Sequence, residues 1–296
     1  SFLKDENGNW YYVDAQGNFA TSPTIINGYE YYFLPNGVNV RDAMVTNPDG
    51  TMTYYQANGI QAQSSGYYLS NNIGRIIYID KNGYAHKGFL NTGNNIQYFD
   101  KNGYQIKGGF VTTKGIKRFF AAGSGNLVKN SFFSSGNNWY YANAKGYVVK
   151  GHQTINGKKY YFYSDGVQAK NKMVVNKNKT ISYYNASSAQ LVTKSFKYKG
   201  KTITVRKGVI YAPNKLIVTS AGKFLLNAKS QVRSGAHKIS GKYYAFDGSG
   251  KMKTSGTTKV RSVTYKVRKN GTVNFNTGKI VSAKDLKAVK KQLAAK

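Results

Sequence analysis

Apolar positions along this chain fall in short runs broken by polar turns, and the stretch Asn95 to Gly108 shows the unit. In Asn-Ile-Gln-Tyr-Phe-Asp-Lys-Asn-Gly-Tyr-Gln-Ile-Lys-Gly, two runs of strand-like alternation, 96–99 and 104–107, flank Asp100-Lys101-Asn102-Gly103. Gly103 can supply the positive φ that a tight turn demands, so the pattern predicts a β-hairpin. Related text returns at Tyr78 to Gly88 and, more loosely, at Trp139 to Gly151. With the turn glycine as marker, thirteen positions run from Gly17, Gly37 and Gly59 through Gly250 to Gly271. Ala189 and Ser230 replace glycine at two of them, and the spacings lie between 19 and 24 residues. A lone two-stranded hairpin is marginal in water, so units of this length must stack on their neighbours and share a core. The expected fold is all-β, a β-solenoid of about thirteen stacked hairpin repeats of ~21 residues.

Each unit carries an aromatic pair or triplet, as in Tyr31-Tyr32-Phe33, Tyr98-Phe99, Trp139-Tyr140-Tyr141 and Tyr160-Tyr161-Phe162. Successive strand side chains point to opposite faces, so one ring of each pair should pack inward and its neighbour outward. A second repeated turn precedes the aromatic strand, at Ile26-Asn27-Gly28, Ile155-Asn156-Gly157 and Ile239-Ser240-Gly241. Beyond residue 190 the spacing persists while the aromatics thin out. Three segments are therefore expected: aromatic-rich repeats over 1–190, degenerate and highly basic repeats of the same kind over 191–281, and an amphipathic helix over 282–296. The helix is read from Ser282-Ala283-Lys284-Asp285, a capping pattern, followed by Leu286, Val289 and Leu293 on one face.

Composition sharpens this picture. The 32 Gly and 26 Tyr, with a mean hydropathy of -0.52, describe a core built on tyrosine more than on aliphatic side chains. There is no cysteine, no apolar run long enough to span a membrane and no leader-like opening; Ser1 at the start suggests a segment of a longer chain. Charge climbs along the sequence: residues 1–80 hold 3 basic against 7 acidic residues, 81–190 hold 16 against 2, and 191–296 hold 25 against 2. Self-repulsion at that density points to a polyanionic partner for the last third.

Catalytic chemistry finds no support. His86, His152 and His237 have no metal-ligand spacing, and the only glutamates are Glu6 and Glu30. Most aspartates, such as Asp80, Asp100 and Asp165, sit in turns, where Asp is a turn former. No catalytic residue, metal or cofactor is expected, and the Asp-x-Asn-Gly turns lack the further ligands of a calcium loop. Binding is better served. A pyranose offers an apolar face and a rim of hydroxyls, which an aromatic ring and a set of amide or charged side chains can match. Here the rings come from the aromatic strand, and the polar groups come from Gln105 with Lys107 and Gln168 with Lys170. The competing reading is that most of these tyrosines are core.

Gly151 to Phe162 and Tyr98 to Gly108 resemble the cell-wall-binding and glucan-binding repeats of Gram-positive surface proteins, with a likeness to the C-terminal glucan-binding domains of glucansucrases from lactic acid bacteria. The resemblance is clear over 1–190 and weaker over 191–281. It implies a secreted or wall-associated, non-catalytic module that holds α-glucan between repeats through a Tyr-x-Phe element and a Gln-x-Lys element. The first matches Tyr31 to Phe33, Tyr160 to Phe162 and Tyr244 to Phe246, and the second Gln105 to Lys107 and Gln168 to Lys170. The unit of Tyr160, Phe162, Gln168 and Lys170 has both. Choline-binding relatives use a tryptophan in nearly every repeat, whereas this chain has Trp10 and Trp139 alone, so choline recognition is not expected. The basic C-terminal part is expected to attach to an anionic cell-wall polymer such as teichoic acid. In the alternative, that attachment is the whole function and the aromatics are structural. Nucleic acid is not expected, because no motif for it accompanies the charge.

Overall fold

The computed structural model describes residues 1–279 except 199, 220, 221 and 262, together with the backbone but not the side chains of a few strand residues. The segment expected to form the terminal helix lies outside the described residues. Among the described residues every regular element is a β-strand, paired antiparallel in two-stranded sheets except for a three-stranded sheet formed by Thr257–Val260, Val263–Val267 and Val273–Lys279. The chain thus has the all-β hairpin repeat fold. It separates into two compact units, residues 1–137 with 141–148 and residues 138–140 with 149–296. The change in composition near residue 190 therefore falls inside the second unit.

The hairpins differ from the expected ones in a way that matters for the site. Ile96–Phe99 pairs with the strand before it, Gly88–Asn91, and not with the segment after it. Likewise Tyr29–Phe33 pairs with Ser22–Ile26, and Lys158–Phe162 with Gly151–Ile155. The turns that close these two hairpins are the Asn-Gly dipeptides, with φ of 49° and 81° at Asn27 and Gly28, and 50° and 74° at Asn156 and Gly157. Two successive positive φ values define the turn whose twist matches that of paired strands. The Asp-Lys-Asn-Gly loop does something else: its return segment makes only isolated bridges, Gln105 to Phe99 in its own repeat and Tyr104 to Ile77 in the preceding one. Asp100 accepts bonds from the backbone N–H of Asn102 and Tyr104 at 2.9 and 3.0 Å, which fixes the loop.

The return segment is short because it divides its hydrogen bonds between two repeats. Ile106 N–H donates to Tyr98 O in its own repeat, while Gln105 N–H donates to Ile76 O in the preceding one, both at 2.8 Å. In the first unit the same stitch joins Asn39 to Trp10, Gln61 to Glu30, Ala85 to Met52, Leu127 to Ile96 and Val148 to Lys117; in the second it joins Gln168 to Trp139 and Leu191 to Lys159. One stitch skips: Val232 N–H reaches Lys179 O, so the segment between them, with its hairpins Phe196–Tyr198 with Lys201–Ile203 and Leu216–Thr219 with Gly222–Leu225, is passed over.

Packing follows from this stacking. Phe33, Phe99, Phe120 and Phe162, each the last ring of its aromatic strand, are fully buried, and burying such a ring stabilises by roughly 1.5–3 kcal/mol. The loop glycine of one repeat rests on the stitched residue of the repeat before. A Cβ at Gly125 would lie 2.6 Å from the Gln105 side chain, and one at Gly59 2.2 Å from Asn39. With φ of +70° and +84° these positions also favour glycine, although Ala189 and Ser230 hold the equivalent place in their repeats at φ of 54° and 59°.

Candidate functional site

The strand alternation decides which rings a ligand can meet. Tyr31 and Phe33 share the inward face with exposures of 9% and 0%, as do Tyr160 and Phe162 with 8% and 0%. The Tyr-x-Phe residues are thus core, and the ring left half-covered on each strand is the middle one, Tyr32 or Tyr161. The expectation that one ring packs inward and its neighbour outward holds at Tyr31-Tyr32-Phe33 and Tyr160-Tyr161-Phe162, where both members of the motif take the inside, and fails at Tyr54-Tyr55 and Phe119-Phe120, where both rings are buried.

Around each middle ring the fold builds a recurring cluster. Tyr78 lies opposite Tyr67 across the hairpin, with centroids 5.0 Å apart, and 6.3 Å from Phe99 of the next repeat. Tyr98 stands in the same relation to Phe89 (4.9 Å) and Phe120 (5.9 Å). In the second unit Tyr161 meets His152 (4.9 Å) and Tyr184 (6.0 Å). Tyr67 and Phe89 are exposed large rings. These first-strand partners were missed in the sequence, although a dipeptide announces them: Gly66-Tyr67, Gly88-Phe89, Gly109-Phe110 and Gly151-His152. In the Tyr98 cluster the Arg118 guanidinium covers Phe89 and Tyr147 at 5.1 and 4.9 Å from their centroids, so a cation of the chain already occupies the ring faces. In the Tyr161 cluster the Tyr184 hydroxyl and His152 Nδ1 share a hydrogen bond of 3.0 Å, and burial pushes the Tyr184 phenol up to about 12.

The Gln-x-Lys pair at 105 and 107 lines a cavity of about 350 Å³ between two repeats, shared with Arg75, Ile76 and Leu69. Lys107 is exposed and Gln105 is 4% exposed. The Arg75 guanidinium is held by Asp100 at 2.8 Å and lies over the Tyr104 ring at 4.7 Å. Gln105 Oε1 is buried and has no hydrogen-bond partner among the described residues. The contrast with Gln97 is direct: its Oε1 accepts from the Tyr67 hydroxyl at 2.8 Å and its Nε2 donates to Asn126 at 3.0 Å. An orphaned buried acceptor costs about 1–3 kcal/mol, and a donor entering the cavity would relieve it. At the equivalent place in the second unit Gln168 is half-buried and Lys170 exposed, with Gln168 stitched to the strand of Trp139, itself an exposed ring.

A second inter-repeat groove, of about 500 Å³, opens where Leu191 takes the place of Gln105. Its walls include His152, Lys159, Lys177, Thr180, Ser182 and Lys207, and no carboxylate among the described residues.

Two family models match the chain: choline-binding repeat over residues 20–67, 86–132 and 149–196, and cell wall binding repeat over 1–19 and 130–148. Among curated proteins, glucosyltransferase-S of Streptococcus mutans is 35% identical over 198 residues, covering 66% of this chain and 13% of its own length. Glucosyltransferase-I of the same species is 39% identical over 189 residues, covering 63% and 13%. The matched stretch thus spans about an eighth of these relatives. Among solved structures, the choline-binding domain of CbpL from Streptococcus pneumoniae aligns at 21% identity and TM-score 0.46, covering 66% of this chain and all of that domain. Alternansucrase in complex with isomaltononaose aligns at 22% and 0.25, covering 83% and 22%. The two matches, which together cover more than half the sequence, place this chain in the family of choline-binding and cell-wall-binding repeats.

Proposed function

We propose that the chain is a non-catalytic carbohydrate-binding module that holds α-glucan in the grooves between successive repeats, as part of a secreted or wall-associated Gram-positive protein. The observation that carries this reading is Gln105 Oε1, a buried acceptor with no partner among the described residues, in a cavity shared with Lys107. A sugar hydroxyl donates to such an acceptor, and Lys107 donates to a neighbouring oxygen. Gln168 and Lys170 repeat the pair in the second unit, and the half-covered middle rings, Tyr78 and Tyr161, offer apolar surface nearby. Likeness to glucosyltransferases favours a glucose polymer. A quaternary ammonium ligand is disfavoured by the net charge of +33 and by Arg118 already covering Phe89.

A single groove of this kind is weak, near the millimolar range or about -4 kcal/mol. Retention of a polymer then comes from several grooves engaging one chain, each raising the effective concentration of the next. Affinity electrophoresis with and without entrapped dextran tests the reading: retardation by dextran is expected, and migration unchanged by dextran overturns it. A second attachment, of the basic part to an anionic envelope polymer, is favoured by the sixteen Lys and Arg and no Asp or Glu between residues 166 and 246.

A further inference from the structure

We infer that the groove around Lys159, Lys177 and Lys207 is a discrete site for a phosphorylated polyol or sugar, such as one unit of a phosphodiester-linked polyol chain. This inference rests on the reading of attachment to an anionic polymer and gives that attachment a place. The groove occupies the same position between repeats as the Gln105 groove, because Leu191 N–H is stitched to Lys159 O as Gln105 N–H is to Ile76 O. Its lining has changed in one direction. Leu191 replaces the amide, Lys159 stands where the first groove has Ile76, and Lys177 and Lys207 arrive from the following loops.

All three lysines are exposed, and among the described residues no Asp or Glu lines the cavity. In the Gln105 groove, by contrast, Arg75 is neutralised by Asp100. Three lysines therefore line a cavity of about 500 Å³ with no counter-charge among the described lining residues, a local excess of positive charge that favours an anion. The floor adds hydroxyl and amide chemistry that a bare anion does not need. Thr180 and Ser182 lie beside Asn176, whose Nδ2 donates to both at 2.9 and 3.0 Å while its Oδ1 is buried without a partner among the described residues. An unpartnered acceptor next to three cations suits a ligand carrying both a phosphate and hydroxyl donors. Nucleic acid fits less well, since binding of single strands rests on exposed ring faces for base stacking, and the tyrosines of this cavity, Tyr160 and Tyr184, are 8% and 1% exposed.

The test uses the full chain and a short poly(glycerol phosphate) as probe, with isomaltotriose and an oligo-dT of equal charge as comparators. The variant K177Q/K207N removes two cations from the groove; Asn suits position 207, where φ is 50°. The control K238Q/K242Q removes the same charge from the neighbouring hairpin Gly235–Ile239 with Lys242–Phe246. Affinity for the probe is expected to fall about tenfold in the groove variant and less than about twofold in the control, because only the former loses direct phosphate contacts. Dextran retardation should be the same in both, which also reports that both are folded. An equal fall in the two variants overturns the site while leaving diffuse attachment standing. Competition by oligo-dT as effective as by the probe overturns the ligand class, and no binding of the probe by the parent chain overturns the attachment itself.

Discussion

Two grooves at the same place in the repeat, one lined by Gln105 and Lys107 and the other by Leu191 with three lysines, show what the fold conserves and what it leaves free. The stitch between repeats is backbone to backbone in both, N–H to carbonyl at 2.8 Å, so it asks nothing of the side chain it carries. That side chain must only fit beneath the next loop glycine: Gln105 under Gly125 and Leu191 under Gly208. The lining of the groove can thus differ from one repeat to the next without disturbing the stack.

The largest effect that would break this comparison is steric. Gly125→Val adds a Cβ 2.6 Å from Gln105 at a φ of +70°, and should destabilise the first unit by about 3 kcal/mol. Thermal melts should show it, together with weakened dextran retention and undiminished binding of poly(glycerol phosphate). Next comes the exchange of one lining for the other. Gln105→Leu should lower affinity for a short isomalto-oligosaccharide about tenfold while raising stability by about 1 kcal/mol, since it removes a buried acceptor that nothing satisfies. Leu127 already sits under Gly146 in this way, so the shape is tolerated. Calorimetry with denaturant titration separates the two changes; a loss of both stability and affinity would make Gln105 a structural residue only. The reverse exchange, Leu191→Gln, should give a gain of a few-fold for the oligosaccharide at a cost near 1 kcal/mol in the unliganded chain.

The smallest effect concerns both units at high pH. Burial raises the phenol of Tyr184 from 10.0 to about 12, and burial followed by the Glu30 carboxylate raises that of Tyr55. A raised folded-state value means that the contribution is complete below pH about 10 and is lost as pH climbs through the folded value. Melting temperature should accordingly hold up to about pH 10 and fall between there and pH 12; a flat profile across that window would show the two phenols to be as accessible as in the unfolded chain.

Much of the fold was legible in the sequence, because the glycine spacing and the aromatic runs are local signals with local causes. The pairing partner was not. Ile96–Phe99 has polar turns on both sides, and each can close a hairpin; the one preceding it wins because the return segment after Gly103 spends Gln105 N–H on the neighbouring repeat. The Tyr-x-Phe residues could be located but not oriented, since alternation tells that neighbours differ without telling which is inside. Phe162 and Tyr160 proved to be the inside pair. Gln105 was found by its spacing to Lys107, yet its lack of a partner depends on Ile76 and Leu69 some thirty residues away, which no local pattern encodes.

The stitches also decide how such a chain yields to tension. Each return segment is held to a carbonyl in the repeat before it, as Leu127 is to Ile96 and Gln105 to Ile76, so load applied along the chain falls on these junctions one after another. A module pulled between a polymer at one end and a cell surface at the other would release one repeat at a time. Each release of about 20 residues adds roughly 70 Å of length. Neighbouring repeats keep their contacts while one gives way, as nearest-neighbour stacks do. Single-molecule extension should trace this as a sawtooth of near-equal steps, with a longer one where Val232 is held to Lys179, the signature of a shock absorber assembled from hairpins.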